Sequence, residues 1–214
     1  MIDILTNVDR RARAEDFDAM HLLRGRVFKD RLGWEVDCRD GRERDAFDDL
    51  DPTYLLAFGP TGAVAGSWRL LPTTGPYMMK DTEAFHPLLK DGEAPRRPRL
   101  WEASRFAVDM GSGSDGGLAA VGQITAELFH GLVEHCMAEG IEEILTVYDR
   151  RIARLLPRVG CHPLWTVGPM PIGGVPTHAG LFDAGPAMLA AIREATGISG
   201  SVVGHAPWRK GQAA

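Results

Sequence analysis

Leu100-Trp-Glu-Ala-Ser-Arg-Phe-Ala-Val108 has the composition of a strand: aromatic and β-branched residues, no internal glycine or proline, Arg-Pro-Arg before it and a Gly-Ser-rich turn after it. Glu102 and Arg105 interrupt the apolar run. A carboxylate and a guanidinium in a half-buried strand are costly unless paired or used. A structural ion pair and a functional pair are both open at this point. Strict alternation would place the two on opposite faces, so a shared site requires a β-bulge at about residues 103 to 107.

The 214 residues, 44% of them hydrophobic, suffice for one well-filled core. A net charge of −5 gives no general reason to bind nucleic acid or membrane, so an acidic partner must meet a local basic patch. Cys38, Cys136 and Cys161 form neither a Cys-x-x-Cys nor an even set, which argues against a disulfide framework and a zinc knuckle. None lies in an activated setting, so an acyl-cysteine route is disfavoured. The seven histidines form no ligand set, and no metal is expected. No stretch approaches the roughly 20 apolar residues of a spanning helix. The start, Met1-Ile-Asp-Ile-Leu-Thr, lacks a signal-peptide pattern, which points to the cytoplasm.

Upstream of the central strand, Thr53 to Phe58 and Ala63 to Leu71 read as a hairpin joined by Gly59-Pro-Thr-Gly62. Alternation in the second strand sets Val64, Gly66, Trp68 and Leu70 on one face. Arg69 then shares the other face with Ala63, Ala65, Ser67 and Leu71, which leaves room beside it for a ligand or a carboxylate. Residues 2 to 6 read as a short strand and 14 to 32 as a helix ended by Gly33. On that helix Arg24 lies among Phe17, Met20, Val27 and Phe28, either snorkelling to an edge or awaiting an anion. The charged stretch from Trp34 to Asp51, with Asp45, Asp48, Asp49 and Asp51 near its end, reads as a lid or a solvated loop.

Downstream, Asp109-Met-Gly-Ser-Gly-Ser-Asp-Gly-Gly117 could hold phosphate at a helix start, although Asp109 and Asp115 oppose it. A helix from about Leu118 to Glu139, a strand from Glu142 to Tyr148 and a helix from Asp149 to Leu156 follow. Arg150, Arg154 and Arg158, with Arg151 beside them, form either a dock for an acidic macromolecule or a solvated face. Strands around His162 to Val167 and Ala179 to Phe182, separated by Pro169-Met-Pro-Ile-Gly-Gly, lead to a helix over Pro186 to Thr196. The tail over 197–214 is expected to fray.

Taken together, Arg24, Phe28 and Trp34, then Asp45 and Asp48, then Arg69 in Trp-Arg-Leu-Leu-Pro-Thr-Thr-Gly-Pro-Tyr-Met-Met, Phe85, and Trp-Glu102-Ala-Ser-Arg105-Phe resemble the bacterial acyl-homoserine-lactone synthases, the autoinducer synthases of quorum sensing. The resemblance spans about residues 20 to 185. It implies an α/β (α+β) fold like the Gcn5-related N-acetyltransferases: one domain over residues 1–196, a twisted mixed β-sheet with helices on both sides, about residues 1–52 forming a lid. It also implies transfer of an acyl group, which a 3-oxo-acyl group could be, from acyl carrier protein or coenzyme A to S-adenosylmethionine. Lactonisation then releases methylthioadenosine. S-adenosylmethionine is a co-substrate, and no cofactor is implied.

The same resemblance implies site roles. Asp45, Asp48, Arg69, Glu102 and Arg105 form a charged catalytic network, with Glu102 as base, directly or through a water. Arg24, Phe28, Trp34, Asp45, Arg105 and Phe106 bind S-adenosylmethionine. Met79, Leu100, Ser104, Thr146 and Trp165 line the acyl pocket, Thr146 reading a C3 oxygen or serving only as a β-branched strand residue. Arg150, Arg151, Arg154 and Arg158 dock the carrier. An ordinary coenzyme A-dependent N-acetyltransferase is the rival, and it gives no role to Trp34, Asp45 or Asp48.

Overall fold

The computed structural model describes residues 1–109 and 117–204, the side chains of 117–121 excepted. Nine strands and five α-helices are described: β1 (Ile2–Leu5), α1 (Ala14–Arg24), β2 (Cys38–Arg39), β3 (Arg42–Glu43), β4 (Thr53–Phe58), β5 (Val64–Pro72), α2 (Met78–Asp81), β6 (Leu100–Val108), α3 (Gly117–Glu139), β7 (Glu143–Asp149), α4 (Arg150–Leu155), β8 (Trp165–Ile172), β9 (Val175–Asp183) and α5 (Pro186–Thr196). The interior of the glycine-rich phosphate candidate, residues 110–116, lies outside the described residues.

Seven strands form one mixed sheet in the order β1-β4-β5-β6-β7-β9-β8, and β2-β3 is a separate hairpin. Among the described strands of this sheet β6 and β7 alone pair in parallel, and their pairing extends from Leu100↔Glu143 to Ala103↔Thr146 and stops there. From Ser104 onward β6 stays on β5 while β7 stays on β9, so the sheet splits at its centre. This split places the site.

The expected bulge is present. Ser104 pairs with Arg69 and Ala107 with Ser67, so Arg105 and Phe106 together oppose Trp68. Arg105 takes φ +59°, the left-handed region, costly for a residue with a Cβ. The bulge turns Arg105 to the same face as Ser104, while Phe106 packs through the sheet against Trp68 and Phe129.

Two apolar layers cover the sheet. Beneath α3 and α5, Trp68, Leu70, Ala103, Leu128, Phe129, Ile144, Phe182 and Ile192 form the main core. On the other face Phe17, Met20, Val27 and Phe28 close over Tyr54, Leu56 and Val64, and a third group gathers Met79, Leu88, Leu100, Leu145 and Leu181. Val64 is a correction to strict alternation. A register shift between Ala57 and Phe58 sends it to the face of Arg69 and leaves Ala65 against the main core.

Gly33, at φ +67°, follows the helix as expected, but α1 gives way to a π-turn over Gly25–Arg31. A Cβ at Gly25 would lie 2.0 Å from the carbonyl oxygen of Gly41, so glycine is required for the β2-β3 hairpin to dock. Gly25→Ala should lower stability by about 1–3 kcal/mol. Thermal unfolding measures this, and an unchanged midpoint would contradict the close approach.

Two expectations fail at the C-terminal side. β8 continues through Pro169 and Pro171 to a turn at Gly173-Gly174, because at a sheet edge a bulge between Val167 and Met170 absorbs the prolines. The start of the tail is fixed as well: Ile2 N donates to Val202 O at 2.8 Å and Gly204 N to Ile2 O at 3.0 Å. Glu134 accepts from the Val202 and Val203 amides. Ile2–Val203 bridging gives these residues a ladder partner, so they do not fray up to 204.

Candidate active site

Arg24 ends α1 with its side chain turned inward and 1% exposed, so it awaits an anion and does not snorkel. Its Nε donates to Glu43 Oε2 at 2.5 Å, and its Nη1 and Nη2 donate to the two oxygens of Asp48 at 2.8 and 2.9 Å. Asp48 also accepts from the Tyr54 hydroxyl at 2.6 Å and from Arg69 Nη1 at 3.0 Å. Asp45 caps the short turn Ala46–Asp48 and forms a fork with Arg69. Arg69 Nε donates to Ser104 Oγ at 3.1 Å.

Arg105 completes the network through the bulge. Its Nε reaches Glu43 Oε1 at 3.0 Å, its Nη2 Asp45 Oδ2 at 2.8 Å, and its Nη1 the Met78 sulfur at 3.3 Å. Its guanidinium carbon lies 5.7 Å from the Phe28 ring centre, and Phe28 stacks on Trp34 at 5.3 Å with planes 8° apart. The stretch Trp34 to Asp51 is therefore pinned by buried charge.

Burial alone would raise the pKa of Asp48, and the contacts with Arg24, Arg69 and Tyr54 reverse that and hold it far below the usual carboxylate range. Glu102 is different. It is fully buried, and its oxygens accept from the Met78 and Met79 amides at 2.9 and 2.7 Å. Burial pushes its pKa up to about 7, against the opposing pull of those amides, Arg69 and Arg105.

A cavity of about 1780 Å³ runs past these groups. Phe28, Trp34, Asp45, Ser104 and Arg105 line one end, with Phe85 nearby; Thr146 stands at the sheet split, and Phe106, Leu132, Val133, Val159 and Met188 wall an apolar chamber beneath α3 and α5. Arg151, Arg154 and Arg158 are exposed at its rim with Arg31, while Arg150 is exposed away from it. Among the described residues these four α4-side arginines make no ion pair. Arg24, Asp48, Arg69 and Glu102 stand behind the cavity wall.

Three acyl-pocket assignments need correction. Met79, Leu100 and Trp165 pack together with Leu145 and Leu181 on the face opposite the chamber. Alternation explains it: Leu100 points with Glu102, whereas Trp101 and Ala103 point to the side of Ile144 and Thr146. Ser104 and Thr146 do line the cavity.

Glu43 is the residue that sequence reasoning missed. It is fully buried and bridges Arg24 and Arg105. In the run Gly41-Arg-Glu-Arg-Asp45 nothing in its spacing sets it apart from its charged neighbours. Because Glu102 is bound by amides, a third anion was needed. No group of histidine, cysteine and carboxylate among the described residues is arranged to hold a metal ion.

A parallel strand pair that splits beside a deep cavity, with an ionic network at one end and an apolar chamber at the other, is the architecture of the Gcn5-related N-acetyltransferase fold. A protein from Lactobacillus plantarum, described as a putative N-acetyltransferase, shares the fold alone, with a TM-score of 0.52 at 14% identity. The profile of the autoinducer synthase family matches residues 7–192. A probable acyl-homoserine-lactone synthase of Sinorhizobium fredii (strain NBRC 101917 / NGR234) is 43% identical over 165 residues, 77% of this chain and 78% of that protein. The acyl-homoserine-lactone synthase LasI superposes with a TM-score of 0.76 at 32% identity, over 91% of this chain and 94% of that one. BjaI, a coenzyme A-dependent acyl-homoserine-lactone synthase solved with SAM and isopentyl-CoA, gives 0.78 at 27% identity, over 95% of this chain and 92% of that one. The chain belongs to the autoinducer synthase family, and it is an acyltransferase of the acyl-homoserine-lactone synthase type. No helix among the described residues is long and apolar enough to cross a membrane.

Proposed function

We propose that the chain acylates the α-amino group of S-adenosylmethionine from an acyl carrier protein thioester and then closes the homoserine lactone. The observation that carries this reading is the single cavity joining the Phe28–Trp34 stack, the sheet split and the apolar chamber. At the lid end aromatic faces suit an adenine and a sulfonium. Arg105 and Asp45, held by their partners, offer a cation and an anion to the amino-acid end.

The amine has an ordinary pKa of about 8 and must lose a proton before attacking the thioester carbon. Glu102 suits that task near neutral pH, and because it stands behind the wall it takes the proton through a water. Amides of β6 past Ala103, where β7 has departed, are the donors for the tetrahedral oxyanion. Collapse expels the carrier thiol. A carboxylate oxygen of the acylated substrate then attacks the methylene carbon bonded to the sulfonium; the lactone C–O bond forms, the C–S bond breaks, and methylthioadenosine leaves as a neutral thioether. Thr146, buried on the chamber wall, offers its hydroxyl to a C3 oxygen of the acyl chain.

The exposed arginines on the rim support a carrier protein, which presents acidic groups, as the donor. Incubating the purified protein with S-adenosylmethionine and matched thioesters of acyl carrier protein and coenzyme A, followed by mass spectrometry of the lactone, tests both points. Lactone preferentially from the carrier protein is expected; lactone preferentially from the coenzyme A thioester would replace the donor, and none from either would sink the reaction. Reversing Arg151 and Arg154 to glutamate should raise KM for the acylated carrier at least about tenfold at low salt, with the deficit narrowing as salt screens the contact. A salt-independent deficit would contradict electrostatic docking.

A further inference from the structure

The chamber wall carries one feature that the reaction does not use. Tyr148 follows Thr146 by two residues on the same face of β7, one pleat or roughly 7 Å further along the wall, and its ring lines the cavity. The ring is fixed on its protein side. It stacks on His178 at 5.5 Å with planes 13° apart, meets the Phe182 edge at 6.2 Å, and its hydroxyl lies 3.4 Å from Thr166 Oγ1.

Gly180 makes this posture possible. It pairs with Thr146 on one side and Thr166 on the other, so it occupies the middle of the strip on which the tyrosine lies. A Cβ there would stand 3.0 Å from the Tyr148 hydroxyl, 3.1 Å from its ring and 3.0 Å from the Phe182 ring. Both rings line the cavity. With His178 behind the tyrosine and strand backbone beneath it, the free direction for displacement is into the chamber. Nothing in the backbone demands glycine here, because Gly180 is absent from the residues with positive φ. Its missing side chain keeps space open.

We propose that Gly180 and Tyr148 together set the acyl-length limit of the chamber: the glycine lets the tyrosine lie flat, and the tyrosine forms the wall against which the chain is measured. The inference rests on the proposed acyl transfer. Gly180→Ala tilts the ring by a few tenths of an ångström and Gly180→Val by more, so each shortens the chain accepted. Tyr148→Ala removes the wall and lengthens it. Tyr148→Phe keeps the shape and leaves the length preference unchanged.

The test is competition between short and long acyl thioesters in one reaction, reading the lactone ratio by mass spectrometry for the parent and the four variants. One methylene in an apolar pocket changes kcat/KM by about tenfold or more. The ratio should therefore move at least about tenfold toward short chains in Gly180→Val and toward long chains in Tyr148→Ala. A ratio unchanged in both, with lactone still formed, overturns the length role. A parent protein that forms no lactone at all overturns the reaction itself, which keeps the two failures distinct. Should Gly180→Val fail to fold, Gly180→Ala and Tyr148→Ala still decide the matter with the same readout.

Discussion

Asp48→Ala is expected to be the most damaging single change in the protein, costing about 3–5 kcal/mol. The carboxylate is fully buried and serves both oxygens, receiving Arg24 twice, Arg69, Tyr54 and the Asp45 amide. Alanine would leave Arg24 and Arg69, each no more than 1% exposed, short of a counter-charge in a buried site. For a domain of ordinary stability this consumes much of the folding free energy. Urea unfolding should show the loss as a lower midpoint with an unchanged slope. Tyr54→Phe, which removes one neutral donor to the same carboxylate, should cost only about 1.5–3 kcal/mol. A loss below about 1 kcal/mol for Asp48→Ala would mean that the network is not sealed from solvent.

Glu102→Gln should act on stability and on rate in opposite directions of pH. The folded protein holds the Glu102 proton up to about pH 7, whereas the unfolded chain releases it near its ordinary value of 4.5. Between those values the folded state binds more protons, so stability falls as pH rises through the window and levels off above it. Glutamine cannot ionise, and the variant should lose that part of the slope. Catalysis needs the carboxylate form, so parent kcat/KM should rise with pH through about 7, while the variant lacks this limb and turns over about 10²–10⁴-fold more slowly. Denaturation at pH 5 and pH 8 together with a pH–rate profile reads both effects. Full activity with an unaltered profile would remove Glu102 as the proton acceptor.

Much of this was legible without coordinates because it follows from local rules. The hairpin at Gly59 to Gly62, the helix over Pro186–Thr196, and the apolar stripe of Thr125, Leu128, Leu132 and Cys136 on α3 follow turn chemistry and periodicity. The bulge was legible too, since two charges three residues apart on a strand share a face only if one residue is extra. The proline-containing edge strand was not, because whether a strand survives proline depends on having no neighbour on that side.

The sequence by itself determined the order of the main-sheet strands and the longer helices, the charged motifs and their order along the chain, and the family they mark. Only the tertiary structure decided which charges meet. Glu43 became the bridge between Arg24 and Arg105, Glu102 was withdrawn behind the wall onto the Met78 and Met79 amides, and Met79, Leu100 and Trp165 fell on the face away from the chamber. The physical reason is common to all three. Local spacing fixes the face of an element, but a buried charge takes its partner from whichever distant segment packs nearest, and the side of a sheet that holds the cavity is set by the helices that cover it.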